Sequence, residues 1–287
     1  MRQASTVRRV SKLTHAGCLA AATFAGEVHA ANESTVTVAA RHVSAQTAFD
    51  KHKVGEAWEV SVGLGYSADP EFEGARRYAF GTVPAIDARW GRLSFDGGLH
   101  VAVIDRETTT ISLGLAYDYG RHDGNGLHIN GSGGSYLKGL GRIGSAAVVS
   151  VSGEQSFGPL SLSTTVSRWL GSENFMSADI ALEVGVPVTD ALSVGASIGS
   201  TWANKDYNQA YFGVTAAQAS HSRFRVFDAG GGVKSATASL FAEYALSRHW
   251  SVAARAGAST LLGDAANSPI VQSRIGREAM LVLSYQF

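Results

Sequence analysis

The sequence predicts an all-β protein: a transmembrane antiparallel β-barrel of about 12 strands, with short periplasmic turns and longer extracellular loops. Three observations predict it. First, apolar residues alternate with small or polar ones in many segments. Second, the connections between these segments alternate between short and long. Third, a membrane-spanning helix needs about 20 apolar residues, and no apolar run after residue 30 approaches that length. A chain with these features crosses a membrane with strands.

The composition narrows the class of protein further. The chain has 287 residues, of which 33 are glycine, and its 24 basic side chains equal its 24 acidic ones in number. Without a basic field, a nucleic-acid partner is not expected. The single cysteine, Cys18, lies in the first thirty residues. We therefore expect neither disulfides nor cysteine-based metal sites in the rest of the chain.

Residues 1–30 have the order of charges and apolar residues that is typical of a signal peptide. The uncharged run 13–26 follows four cations, and Val28-His29-Ala30 places small residues at the cleavage positions. The four cations are Arg2, Arg8, Arg9 and Lys12. We expect residues 31–56, which are polar and without a clear period, to form a periplasmic N-terminal segment, and residues 57–287 to form the barrel.

Strict alternation begins at Ala57 and predicts the first strand. Trp58, Val60, Val62, Leu64 and Tyr66 share one face, opposite small or polar residues. The pattern returns at 111–119, 180–186, 192–199 and 279–287. Because the face opposite the apolar one carries Gly, Ser, Ala and Thr with an occasional charge, it suits a lumen, and the apolar face suits lipid.

Aromatic residues near the strand ends predict the two girdles of a membrane barrel. Trp58 and Tyr66 lie on one face, separated by roughly 26 Å along a strand and by about 20 Å along the barrel axis. Trp202, Tyr119, Trp250 and Phe287 are further candidates.

Counting alternating segments gives thirteen strands, one more than the even number that bacterial barrels have. The segments are 57–66, 80–90, 92–96, 98–104, 109–119, 136–152, 159–170, 175–187, 191–202, 210–219, 232–246, 249–262 and 276–287. Segment 210–219 is the weakest, so we predict twelve strands and no amphipathic helix. Long polar loops are expected at 67–79, 120–135, 203–229 and 263–275.

Two enzyme motifs occur without the context that their chemistry needs. The dinucleotide fingerprint at 139–144 is preceded by a glycine-rich stretch instead of a buried strand. The nucleophile-elbow pattern at 195–199 places Ser197 in mid-strand, where no strand-to-helix turn exposes it. We therefore predict no catalytic residue and no cofactor.

Two polar loops could hold a metal ion but have a simpler interpretation. His122, Asp123 and His128 share a glycine-rich loop, and Asp69, Glu71 and Glu73 form an acidic cluster before Arg76 and Arg77. Solvated loop side chains, paired with one another, are commoner. We therefore predict no metal site.

Several short motifs resemble, in their order and spacing, those of the MipA/OmpV family, the MltA-interacting proteins of Gram-negative outer membranes. The first is Gly63-Leu-Gly65-Tyr66 followed by the loop Asp69-Pro-Glu71-Phe72-Glu73-Gly74, where many members carry Tyr in place of Phe72. The others are 83–86 (VPAI), 119–121 (YGR), 211–214 (YFGV) and 268–271 (SPIV). The resemblance covers nearly all of the chain after the signal peptide.

This resemblance implies a cell outer-membrane barrel without established catalysis. It implies a scaffold for peptidoglycan-remodelling enzymes, namely a lytic transglycosylase and a bifunctional murein synthase, with the lipid bilayer and the barrel-assembly machinery as further partners. A small diffusion channel or a surface adhesin is the alternative, and an outer-membrane hydrolase a third. The family has no agreed binding residues that could be transferred to this chain.

Two sets of residues are candidates for function. Leu281, Leu283, Tyr285 and Phe287, on the lipid-facing side of the last strand, are predicted to carry the assembly signal. Asp69, Glu71, Phe72 and Glu73 are the candidate surface loop. In the longest loop, Tyr207, Tyr211, Phe212, Phe224 and Phe227 are expected to pack inward into the barrel, because aromatic side chains gain by leaving water.

Overall fold

The computed structural model describes residues 58–124, 132–171 and 174–287, and within them the chain forms a closed antiparallel barrel of twelve strands. The predicted signal peptide and periplasmic segment lie outside the described residues. The barrel strands are β1 Glu59–Pro70, β2 Tyr78–Trp90, β3 Leu93–Phe95, β4 Leu99–Asp105, β5 Thr109–Asp118, β8 Ala146–Phe157, β9 Leu160–Leu170, β10 Met176–Pro187, β11 Leu192–Ala203, β12 Gly232–Ala245, β13 Trp250–Leu261 and β14 Ile275–Gln286. The predicted strand number is confirmed.

Each barrel strand pairs with its neighbours along the chain, and β1 pairs with β14 to close the cylinder. The last backbone bond of this seam runs from the N–H of Phe287 to the C=O of Val60, at 3.0 Å. Closure leaves every long strand except β2 between two partners along most of its length. Such pairing is the condition for strands to cross a bilayer.

The alternation of the sequence becomes the two faces of the wall. In β14, Leu281 and Leu283 are exposed on the outside, whereas Val282 and Ser284 are buried on the inside. The predicted girdle residues Trp58, Tyr66, Trp202, Tyr119, Trp250 and Phe287 are all exposed on the outside. Trp58 stacks on Trp90 with 5.8 Å between ring centroids. The outer surface is therefore apolar with aromatic ends, as a bilayer requires.

Every connection at one end of the barrel is a short turn, and the four long connections lie on the opposite side, together with the shorter connections 96–98 and 171–175. Gly91 and Gly158 take left-handed backbone conformations, with φ of +55° and +64°, in two of the tight turns. By the pattern of outer-membrane barrels, this end is periplasmic and the end with the long connections is extracellular. The alternating loop lengths predicted this arrangement correctly.

The long extracellular connections contain structure that the sequence pattern did not predict. Their described part includes three short helices: α1 Lys205–Phe212, α2 Ala216–His221 and α3 Gly263–Asn267. A small parallel ribbon joins β6 Arg121–His122 to β7 Ser132–Gly133, and a 3-10 turn covers Ser135–Leu137. The expectation of no helix was therefore wrong for the loops. Segment 210–219 is helical rather than a strand, and 136–145 precedes β8 rather than belonging to it.

Candidate functional site

The extracellular mouth is covered by a cap, which we define as residues 71–77, 132–144, 204–231 and 262–274. Its largest element, α1, begins at Asn204, whose side-chain Oδ1 accepts a hydrogen bond from the N–H of Tyr207 at 3.0 Å. Tyr207 and Tyr211 lie one turn apart on α1 and stack with 4.4 Å between centroids. Both rings also contact Phe175, and Tyr207 contacts Trp169.

The inward packing predicted for the longest loop is found. Tyr207, Tyr211, Phe212 and Phe224 are buried, and Phe227 is partly buried against the same clusters. The buried rings join the top of the barrel wall to the cap, since Trp169 belongs to β9 and Val148 to β8. Burial of this many aromatic side chains stabilises the closed arrangement by several kcal/mol, at roughly 25 cal/mol per Å² of apolar surface.

A buried polar group lies beneath α1. Asp118 accepts hydrogen bonds from the indole N–H of Trp169, the hydroxyl of Tyr211 and the N–H of Gly120. Arg121 donates to the carbonyl oxygens of Tyr211 and Ala210, in the last turn of α1. Burial lowers the pKa of Arg121 to about 10, so its guanidinium stays charged at neutral pH. A cation at this position suits the negative end of the helix dipole.

The candidate surface loop lies at the extracellular end, but half of it faces inward. Phe72 is only 3% exposed and packs among Leu137, Val214 and Ile270 in the cap. Glu73 forms a 2.6 Å ion pair with Lys234, whose side chain is 1% exposed. Glu71 makes a looser pair with Arg77, at 3.4 Å. The interpretation of solvated, mutually paired loop charges therefore fits Glu71 and Arg77 and is corrected for Glu73.

The possible histidine site gives no metal geometry. His128 lies outside the described residues, and Asp123 accepts hydrogen bonds from the N–H groups of Gly139 and Gly141. Among the described residues, no group of three His, Cys, Asp or Glu side chains is arranged to hold a metal ion. Two glycines of the fingerprint thus donate to the carboxylate of Asp123, which follows β6.

Many of the side chains that line the interior below the cap are polar. Arg255 donates to Ser239 at 2.7 Å and to Ser197 at 3.4 Å, and Thr201 donates to Asp179 at 2.7 Å. Glu183 and Glu243 are buried on the same inner face. Ser197, the centre of the nucleophile-elbow pattern, bonds Ser239 across neighbouring strands, at 2.7 Å. It is a wall residue of the lumen and does not sit on an elbow.

Sequence reasoning missed Lys234, Arg121, Asp118 and Trp169. Asp118 stands on the small-residue face of its strand, so the period of two places it inside. A charge at such a position signals an interior polar network. The partner of each charge could not be inferred, because every partner comes from a distant segment.

The last strand places the predicted assembly residues on the lipid side. Leu281, Leu283 and Phe287 are exposed, and Tyr285 packs against Trp250 and Phe287 with 5.1 Å between ring centroids in each pair. His249, in the neighbouring turn, also stacks on Tyr285. These contacts form a compact aromatic group at the periplasmic end of the seam. Their role in assembly remains a prediction.

The closed barrel, its apolar outer surface and its capped mouth define an outer-membrane β-barrel protein. Within the described residues, no helix has the length and apolar character to cross a membrane. The chain belongs to the MltA-interacting protein family, MipA, whose family model matches residues 62–287. The family resemblance derived from the sequence motifs is thereby confirmed.

Solved structures similar to this chain are outer-membrane proteins of low sequence identity. OmpT of Vibrio cholerae is 9% identical, with a TM-score of 0.39, and the match covers 80% of this chain and 97% of that one. The COG4313 outer membrane channel of Pseudomonas putida F1 is 9% identical, with a TM-score of 0.37 and coverages of 80% and 95%. OprD of Pseudomonas aeruginosa is 9% identical, with a TM-score of 0.31 and coverages of 81% and 95%. No curated protein matches the chain significantly.

Proposed function

We propose that this protein is a non-enzymatic outer-membrane anchor that holds peptidoglycan-remodelling enzymes at its periplasmic end. The observation that carries the proposal is the capped mouth, in which buried aromatic residues of 204–231 lie across the extracellular end of the lumen. A protein closed in this way is suited to positioning a partner rather than to passing solutes. The family's description as MltA-interacting supports a lytic transglycosylase as one partner, and a bifunctional murein synthase is the second.

The buried side chains of the interior also support an anchor rather than a diffusion channel. Arg255, Phe241 and Glu183 are buried on the inner wall. A twelve-stranded barrel is also narrow beside the 16 to 18 strands of porins with aqueous channels. Recording from the refolded protein in planar bilayers should therefore show little or no steady conductance. Large, stable conductance would favour the channel function instead.

The anchoring role is tested by recovery of partners from solubilised envelopes. Charge reversal at the exposed periplasmic residues Arg106 and Arg248 should reduce co-purification of the transglycosylase and synthase, because these side chains lie on the end that faces peptidoglycan. Reversal at Arg76 and Arg142, exposed on the extracellular end, is the matched control and should change nothing. Equal recovery with both pairs, or no recovery from wild type, would contradict the proposal.

A further inference from the structure

Among the described residues, no strand fills the wall between β2 and β5 in its extracellular half. Pairing of β2 with β3 stops at Ala88, opposite Phe95, and pairing of β4 with β5 starts at Leu99, opposite Leu115. In the part of the chain that the structure describes, no strand pairs with 78–87 of β2 on the side away from β1. At the level of the β3–β4 hairpin, β2 and β5 are three strand spacings apart, about 14 Å.

The backbone direction of β2 shows which groups face this gap. The N–H of Glu71 donates to the C=O of Arg77 at 3.0 Å, in line with the ladder between β1 and β2. The backbone N–H and C=O groups of successive residues point to opposite sides of a strand. Those of the odd-numbered residues of β2 therefore point toward β1, and those of the even-numbered residues point toward the gap. Phe80, Thr82, Pro84 and Ile86 therefore border it. Pro84 has no N–H, so its position removes one unpaired donor from an open edge.

The gap is framed above and below, and so forms a window in the wall. Below it, the β3–β4 hairpin turns back at Asp96-Gly97-Gly98, with Gly97 at φ +87°. Above it, β7 bridges the top of β5 to the cap: Ser132 N–H donates to Gly120 C=O at 3.2 Å, and Gly133 N–H donates to Glu71 C=O at 2.8 Å. The window is thus separated from the extracellular surface and opens toward the bilayer.

The two sides of the window differ in chemistry. On the lipid side its rim is apolar, since Phe80, Ile86, Leu99 and Tyr117 are exposed there, Phe80 by 64%. On the lumen side, a side chain at Gly81 would meet no atom within 4 Å. At the β3–β4 hairpin, which is the lower edge of the window, His100 Nε2 lies 2.8 Å from Asp96 Oδ1. The lipid side of the window is therefore apolar, whereas a polar pair lies at its lower edge on the lumen side.

We propose that this window is a lateral binding site for a single-chain amphiphile taken from the membrane. Its acyl chain lies in the opening against Phe80 and Ile86, and its polar head faces the Asp96–His100 pair inside the lumen. A lipid-side molecule is the occupant that the position favours, because the window faces hydrocarbon and the cap closes the extracellular route. A polar head also meets the backbone amides of the open edge, which are costly to leave in hydrocarbon. The site goes beyond the proposed anchoring role and does not depend on it.

The test places a reporter at the window and a matched one elsewhere on the inner wall. Gly81→Cys carries a nitrobenzoxadiazole fluorophore, and Gly185→Cys is the control. A Cβ added at Gly185 would also meet no atom within 4 Å, but its strand β10 pairs with both β9 and β11. The only native cysteine, Cys18, lies in the predicted signal peptide and is left out of the refolded protein. Retained heat-dependent gel mobility shows that each labelled protein is a closed barrel.

Doxyl-stearic acid, added to the labelled protein in phosphatidylcholine vesicles, is the probe. The Gly81 reporter should be quenched saturably, at least threefold more than the Gly185 reporter, and excess unlabelled stearate should reverse the quenching. A second reporter at Ala116→Cys, across the window on β5, should respond in the same way. Equal quenching at Gly81 and Gly185, or quenching that stearate does not reverse, would overturn the proposal. If the Gly81 signal changes only with the protein-to-lipid ratio, the window is occupied by a second copy of the chain. That result would also overturn the proposal.

Discussion

Single buried charges hold the cap on the barrel. Lys234 projects from β12 inside the mouth, pairs with Glu73 of the β1–β2 connection, and lies 5.3 Å from the centre of the Tyr207 ring. One ammonium group thus joins the wall, the candidate surface loop and α1. Arg121 has a comparable role beneath the last turn of α1. In both cases a charge taken out of water is compensated by a partner from a distant part of the chain.

Replacing Lys234 by Met should destabilise the protein by about 3–5 kcal/mol, because the Glu73 carboxylate is then buried without its cation. Urea unfolding of the refolded protein in vesicles, followed by tryptophan fluorescence, measures the change. The double variant Lys234→Met with Glu73→Gln should recover most of the loss, since it removes both charges. A single variant as stable as wild type would show that the pair contributes nothing to stability.

At the scale of elements, the seam between β1 and β14 determines whether the cylinder closes. The two strands pair from Ser61–Gln286 to Ala68–Ala279, and Phe287 adds the bond to Val60 at the periplasmic end. The aromatic group of Trp250, Tyr285 and Phe287 lies at the same end, on the lipid side. The final residue therefore contributes both a backbone bond of the seam and an exposed ring.

Deletion of Phe287 should leave the protein degraded or in the periplasm, because a terminal aromatic on the closing strand is the feature that we predict the assembly machinery binds. Outer-membrane fractionation and heat-dependent gel mobility measure the outcome. Phe287→Tyr keeps the ring and should insert normally. Normal insertion of the truncated protein would contradict an assembly role for the terminal residue.

At the scale of the whole molecule, the protein is an outer-membrane barrel with a cap over its extracellular mouth and short turns at its periplasmic end. Its first strand begins at Glu59 and its last ends at Gln286, both at the periplasmic end. An anchor for peptidoglycan enzymes would use this end. The window between β2 and β5, by contrast, faces the bilayer.

The mature protein should begin within a few residues of Ala31, because cations, an uncharged run and small residues follow one another as in a signal peptide. N-terminal sequencing of protein purified from the envelope measures the start. Cytoplasmic protein in which cleavage is blocked should retain Met1 and serves as the reference. An envelope protein that begins at Met1 would contradict export through cleavage.

The even strand number of bacterial barrels reduced thirteen alternating segments to twelve. The sequence alone also determined the class of fold and the face of each long strand. These follow from the period of two, which is local: the pleat sends successive side chains to opposite sides, whatever their distant neighbours are. Leu281 and Val282 could thus be assigned to lipid and lumen without a structure. Only the tertiary structure decided where the loops go. Tyr207 and Lys234 acquire their partners from segments far along the chain, and the early turn at Asp96-Gly97-Gly98 opens a window only because β2 and β5 continue beyond it. Such contacts depend on loop closure in three dimensions, which leaves no period in the sequence.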